Sequence, residues 1–448
     1  MLRIGAWAVS LGLEMRMSEQ GIRVGAPVYG GGFEAGPESW EPGVLPGELI
    51  SRVELDGLRI LEPSAERVVP GCVHFGACGG CQYQHAAYTA QVGLKVQILG
   101  GFLVDAGLAA PPIGVTTGSE WGYRNRIRVR LGRAADGRLS AGYNARGTNE
   151  FLAVRMCPIA APVLWRAVEA MLRLGEQDAV CGRWMAAASA MEVFCSGDEM
   201  RVQARFFVED AAAGLREQGS FNTLCERLLQ EVPELAGVGA EVDPELNRRV
   251  RRKWAGVEWG APGLNYEVGG RSYWVSRGAF FQVNRGLVER LVEMVCGEAG
   301  GKLAWDLFAG VGLFSRVLAE RFDQVVAVEG ADAAAVDLAA SARGGKGVAG
   351  FRAVHSSTLD FLKMQGLQRE RPELVVLDPP RAGLGTEGAE LLARIGAERV
   401  VYVSCDPVTL ARDLAVLTRE VYAVESVDLV DMFPQTFHVE TVVRLRRV

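Results

Sequence analysis

The chain has 448 residues, too many for one ordinary core, so two or three domains are expected. Hydrophobic residues make up 49% and charged ones 23%, which excludes a disordered chain. A net charge of −6 excludes a protein that is basic all over, but leaves room for local patches that meet nucleic acid.

No apolar run reaches membrane-spanning length, so no membrane partner is expected. The opening "MLRIGAWAVSLGLEM" has one arginine and a short apolar patch, a poor signal peptide, and Met15 and Met17 offer later starts. Nine cysteines, an odd number over a long chain, do not form a secreted disulfide framework. A cytoplasmic monomer is expected.

In chain order, residues 18–66 are rich in Gly, Pro and Glu, with strand-like pieces "GIRVGAPVYG" and "GELISRVEL", and predict a small β module within an N-terminal domain of residues 1–66. "CVHFGACGGCQYQH" follows, with Cys72, Cys78 and Cys81 in the spacing C-x5-C-x2-C. Three thiols are one short of a closed four-ligand site. A helical pattern, "YTAQVGLKVQILGGFLVDAG", then runs to a proline pair. Over residues 67–275, strand-like runs such as "RVQARFFVED" mix with helices such as "APVLWRAVEAMLRLG", which predicts an α+β central domain. Within it "YRNRIRVRLGR" sets Arg124, Arg126, Arg128 and Arg130 at period two, one face of a strand. Phosphates are natural partners for such a face, and acidic neighbours are the alternative. "NRRVRRKW" (247–254) adds a second basic cluster. Cys181, Cys195, Cys225 and Cys296 sit in apolar contexts and belong to the core.

Residues 276–448 alternate apolar strands with helices, which predicts a Rossmann-like α/β domain with a mainly parallel sheet. In "WDLFAGVGLF" a strand ends at Asp306, and Gly310 and Gly312 let the backbone turn beneath a ligand. The third glycine of a dinucleotide fingerprint is missing, with Ser315 in its place. The next strand ends in Glu329, placed to hold ribose hydroxyls. This set suits S-adenosylmethionine better than a pyrophosphate-bearing nucleotide. Asp378, in "LVVLDPPRAG", ends another strand, with two prolines stiffening the turn after it. Cys405, in "VVYVSCDPVTL", follows an apolar strand and precedes a helix N-terminus, which favours the nucleophilic thiolate. Glu440, in "PQTFHVETVVRL", is a carboxylate placed to take a proton.

From Cys72 to the C-terminus, "FFQVN", "DLFAGVGLFS", "VVAVEG", "LDPPRAG", "VSCDPVTLARDL" and "HVETV" resemble, in order and spacing, the RNA uracil-C5 methyltransferases. "CVHFGACGGCQYQH" and "MCPI" resemble the iron–sulfur branch of that family, which modifies 23S ribosomal RNA. The resemblance implies that Cys405 attacks uracil C6, that C5 takes the methyl group, and that Glu440 removes the C5 proton. It implies that Asp378 orients the base or the cofactor, and that Gln282, Phe308, Glu329 and Ser357 bind S-adenosylmethionine. Leu313 stands where the family has a cofactor-binding asparagine. It implies that Cys72, Cys78, Cys81 and Cys157 hold a 4Fe-4S cluster, with zinc as the chemical rival because His74 and His85 are near. It also likens residues 1–66 to a TRAM-type module of OB-like β structure. The expected substrate is 23S rRNA, with tRNA second. Two other readings stay open: an amino-group nucleic-acid methyltransferase built on "DPPR", and a metal-stabilised RNA-binding protein with a relic methyltransferase fold.

Overall fold

The computed structural model describes residues 21–36, 39–53, 57–243, 254–344, 350–365 and 371–448. The basic cluster at 247–254 lies outside them except for Trp254, as do Met15 and Met17.

Six short strands between Ile22 and Glu62 pair as two three-stranded sheets. They close over Phe33, Val44, Leu45 and Ile50, joined by Tyr83, Ala86 and Leu94 from the segment that follows. Among the described residues the pairing is two small three-stranded sheets. The expected boundary at residue 66 therefore cuts through a shared core, and Glu48 ties it across by accepting from the Ser64 N–H at 3.0 Å and Arg67 Nε at 2.6 Å.

The central sheet has seven strands in the order Phe151–Ala153, Leu139–Asn144, Arg126–Arg133, Ala188–Cys195, Val202–Val208, Leu235–Val242, Val257–Gly260. Helices Pro162–Gln177, Ala179–Ala187 and Phe221–Glu231 pack on it, and their apolar faces form one core with the alternate strand residues. Cys181, Cys195 and Cys225 are buried there, and Cys296 in the next core, as expected.

The C-terminal sheet has eight strands in the order Phe351–His355, Phe322–Glu329, Gly301–Leu307, Leu374–Leu377, Arg399–Ser404, Thr441–Arg447, Tyr422–Val430, Ile113–Thr116. The first five run parallel, and Thr441–Arg447 is antiparallel to both its neighbours. Continuous burial of Leu374–Leu377 reflects helices on both faces, as an all-parallel region requires. The expected boundary at 275/276 is corrected at two places. Strand Ile113–Thr116 completes this sheet by pairing with Val427–Val430, and helix Tyr88–Asp105 buries Leu99 and Leu103 against Tyr402, Leu410 and Leu414. The hairpin Gly263–Val268 and Arg271–Ser276 packs into the core on the other face of this sheet, through Leu264, Tyr266, Tyr273 and Val275. Among the described residues, no helix is long and apolar enough to cross a membrane.

Candidate active site

The strand ends of the C-terminal sheet open into a cavity of about 660 Å3, within the size range of cofactor sites. Phe308, Gly310, Leu313 and Glu329 line one side, Asp378, Cys405 and Glu440 another, and Gln282 lies on its wall. Seven of the eight residues expected to act on cofactor or base therefore meet in one place; Ser357 does not. Ser357 is exposed, accepts the Asp360 N–H at 3.1 Å and donates to Asp360 Oδ2 at 2.6 Å. It caps helix Thr358–Gln365, the usual work of a serine in that position.

The cofactor-side wall is shaped by backbone geometry. Phe308 has φ +61°, Gly310 +55° and Gly312 +91°, so the chain doubles back directly after strand Gly301–Leu307. A side chain at Gly312 would stand 3.0 Å from Leu338 as well as straining the backbone. Glu329 accepts the Gly310 N–H at 2.8 Å and the Ala331 N–H at 2.6 Å, which fixes its carboxylate at the rim. Leu313 offers only apolar surface, and its carbonyl is taken by the Tyr273 hydroxyl at 3.1 Å.

On the opposite wall, Gln282 donates to Asp378 Oδ2 at 2.9 Å. Burial pushes the Asp378 carboxyl up to about 7. Glu440 is 2% exposed, and its Oε1 has no hydrogen-bond partner among the described residues. Burial first, and then the nearby Asp378 charge, hold it well above the carboxylate range. Behind them Asp306 accepts from the Ser315 hydroxyl and is pushed by burial to about 7.

Cys405 departs from expectation. Helix Pro407–Leu417 does begin beside it, but Asp406 caps that terminus, accepting the Val408 N–H at 3.1 Å and the Thr409 N–H at 3.0 Å. Burial, then the charges of Glu440 and Asp378, push the thiol up to about 12, against the opposing pull of Arg381. Burial thus disfavours the charged forms of these groups in the ligand-free site, and a bound cation would favour the ionised carboxylates.

Sequence reasoning assigned no role to four contributors. His438 and Phe433 line the cavity, and Phe280 does so while 63% exposed. Arg381 Nη2 lies 3.4 Å from each His438 ring nitrogen. Tyr29, from the N-terminal sheets, donates to Asp406 Oδ2 at 3.0 Å, next to Cys405. Two of them carried a signal, Phe280 as the first residue of "FFQVN" and His438 two residues before Glu440 in "HVETV".

A second cavity, of about 270 Å3, is lined by Cys72, Cys78, Cys81 and Cys157. All nine cysteines are free. The loop is pinned by Cys78 N–H to the His74 carbonyl at 2.9 Å, Gly79 N–H to Asn144 at 3.1 Å, and Arg146 Nη2 to the Cys81 carbonyl at 2.9 Å. Gly80 N–H points at Cys78 Sγ, 3.4 Å away. Burial raises the Cys78 and Cys157 thiols and takes Cys81 to about 12. His74 Nε2 already accepts the Arg155 N–H at 2.8 Å, and His85 Nε2 lies 2.9 Å from the Val44 carbonyl. Among the described residues no group of three or more His, Cys, Asp or Glu could hold a metal ion.

The arginine face is present but partnered. Arg126 lies over Phe194 and 3.7 Å from Glu192; Arg128 lies over Phe207 and 2.8 Å from Asp243. Arg130 bonds Asn144 and the Asn149 carbonyl at 2.9 and 2.8 Å. Arg124 alone of the four lines both cavities.

The tRNA (Uracil-5-)-methyltransferase family model matches residues 265–448. The 23S rRNA (uracil(1939)-C(5))-methyltransferase RlmD of Chromohalobacter salexigens is 31% identical over 432 residues, covering 90% of this chain and 83% of that protein. RlmD of Pseudomonas fluorescens is 30% identical over 455 residues, covering 96% and 94%. The crystal structure of Pyrococcus abyssi tRNA (uracil-54, C5)-methyltransferase in complex with S-adenosyl-L-homocysteine superposes with a TM-score of 0.70 at 22% identity, covering 91% of this chain and 94% of that one. At that identity the likeness speaks for the fold.

Proposed function

The chain belongs to the RNA uracil-C5 methyltransferases, which use S-adenosylmethionine, and on that premise we propose that it methylates C5 of a uridine in 23S rRNA through a covalent bond from Cys405. The observation that carries this reading is the convergence of Cys405, Glu440 and Asp378 on one wall of a cavity whose other wall is the glycine turn and Glu329.

The cavity fits the cofactor on its own chemistry: Glu329 at the rim for hydroxyls, and the buried Asp378 and Glu440 carboxyls, one oxygen unpartnered, for a positive charge. When bound, S-adenosylmethionine supplies an electrophilic methyl group on a cationic sulfur. Cys405 releases its proton to water as its sulfur bonds uracil C6, and the C5=C6 electron pair shifts to give an enolate whose C5 is nucleophilic enough to accept the methyl. Asp378, held by Gln282, orients the base or the cofactor. Glu440 then takes the C5 proton, and Cys405 leaves as thiolate. A high affinity of Glu440 for protons suits that step, because a positive charge in the cavity favours its ionised form and loss of that charge restores its basicity. His438, Phe433 and Phe280 give the target base an apolar wall once it leaves its stack.

Cys72, Cys78, Cys81 and Cys157 are read as ligands of a 4Fe-4S cluster. Four thiols lining one cavity of about 270 Å3, with an N–H aimed at sulfur, support that reading, although as they stand in the ligand-free chain they are not gathered as a metal-holding group among the described residues. The N-terminal sheets are read as a TRAM-like module that steers RNA toward Asp406 and Cys405, and the enzyme as a cytoplasmic monomer. Relatives named for 23S rRNA are 31% and 30% identical to this chain, against 22% for the tRNA enzyme, which favours that substrate over tRNA. The test is labelled S-adenosylmethionine with unmodified 23S rRNA and, separately, tRNA. Labelled 5-methyluridine from 23S rRNA supports the reading; label only in tRNA moves the substrate, and label in an exocyclic amine overturns it.

A further inference from the structure

Residues 431–440 carry Phe433, His438 and Glu440 into the cavity but form neither helix nor strand. Placing a catalytic carboxylate finely enough for proton transfer then depends on tertiary bonds. Asn284, Lys95 and Tyr123 hold the carbonyls of Met432, Phe433 and Pro434, and Gln435 makes five more such bonds. Its carbonyl accepts the N–H groups of Gln82 and Tyr83, each at 3.0 Å. Its N–H donates to Gln91 Oε1 at 2.9 Å, and its Oε1 accepts from Gln91 Nε2 at 3.0 Å. Its Nε2 donates to Glu120 Oε2 at 3.3 Å.

Gln435 is 1% exposed and has φ +70°, a conformation that a glutamine holds only when its surroundings impose it. The imposing partners are informative. Gln82 and Tyr83 directly follow Cys81, and Gln84 Oε1 accepts the Cys72 N–H at 3.0 Å, so the cysteine loop itself grips the catalytic segment. Helix Tyr88–Asp105 supplies Gln91, and its buried Lys95 holds Asp431 at 2.6 Å and the Phe433 carbonyl at 2.9 Å.

We infer that Gln435 is a positioning residue for the reaction, through which the four-cysteine loop and helix Tyr88–Asp105 fix where Glu440 stands when the product is released. The inference rests on the reading of Glu440 as proton acceptor. In that step the C5 proton passes to the Glu440 carboxylate. The C5–H electron pair becomes the C5=C6 double bond, and the C6–S pair leaves with Cys405. A misplaced Glu440 slows this step more than the attack by Cys405, so the covalent RNA–protein adduct accumulates.

Gln435→Gly tests this in the full chain, because glycine accepts φ +70° freely, keeps the carbonyl and N–H, and loses only the side-chain bonds. The expected result is a kcat lower by about tenfold, with RNA KM and cofactor Kd within about twofold and an adduct visible on a denaturing gel. Glu120→Ala, at a part-exposed site, keeps the test open should Gln435→Gly fail to fold, with about threefold expected and the same adduct. Cys81→Ser should also raise the adduct fraction, since it loosens the loop that grips Gln435. Wild-type turnover with no adduct overturns the inference, as does a loss of cofactor affinity with no adduct. Glu440→Gln is run alongside. If it traps adduct while the other variants do not, only the inference fails; if it traps none, the reading of Glu440 fails and the inference with it.

Discussion

The loop of Cys72, Cys78 and Cys81 and the strand end of Cys405 are both part-buried thiol sites, and burial raises thiols at each. Their company differs. Around the loop, the neighbours are other thiols, a backbone N–H aimed at sulfur, and Arg146 on the Cys81 carbonyl. Around Cys405 they are Glu440 and Asp378, an aromatic wall and an open cavity. Thiols that face one another close a site, whereas a single thiol facing carboxyls and empty volume is left free to react.

Substitution separates the two most sharply. Cys405→Ala should lower methyl transfer by about 10⁴-fold or more, while cofactor binding, read by calorimetry, stays within about twofold. Retained activity would instead favour an amino-group methyltransferase. Glu440→Gln should slow turnover by about 10² to 10⁴-fold and accumulate adduct. Cys157→Ser should cost iron and acid-labile sulfide, measured by chemical analysis, and lower turnover by about tenfold without abolishing it. A loss as complete as that of Cys405→Ala would erase the contrast between the sites.

Protonation sharpens the comparison further. Asp306 and Asp378 are raised from the ordinary 3.8 to about 7, so the folded chain holds protons that the unfolded chain has already released. That stabilisation is complete below 3.8 and is lost as pH rises through about 7. The melting temperature of the ligand-free protein should therefore fall between about pH 4 and 7 from these two groups, and Asp306→Asn should flatten the slope. Affinity for the cationic cofactor should move the other way, rising as Asp378 ionises. The smallest effect is Ser357→Ala, which should cost about 1 kcal/mol of stability through the lost helix cap and leave cofactor Kd unchanged.

These residues also show what was legible in the sequence. Cys405, Asp378 and Glu329 were readable because each ends an apolar strand inside its own short motif, and parallel strand ends share one crevice. The helix pattern at 88–107 was visible, but not its place on the catalytic sheet, since Ile113–Thr116 pairs with Val427–Val430 at the other end of the chain. The arginine period of two was correct; the partners of Arg126 and Arg128, Glu192 and Asp243, come from distant strands and cannot be read locally. The thiolate expected from a helix N-terminus gave way to burial and two carboxyls supplied from elsewhere. Nothing local marks Gln435, because its positive φ is imposed by the cysteine loop and helix Tyr88–Asp105.

The central claim is that the isolated thiol, and none of the clustered four, bonds the RNA base. Its most direct measurement is mass spectrometry of the adduct trapped in Glu440→Gln after protease and nuclease digestion. The account predicts a methylated uridine nucleotide on the peptide that contains Cys405. A nucleotide on a peptide containing Cys72, Cys78, Cys81 or Cys157, or no adduct at all, would contradict it.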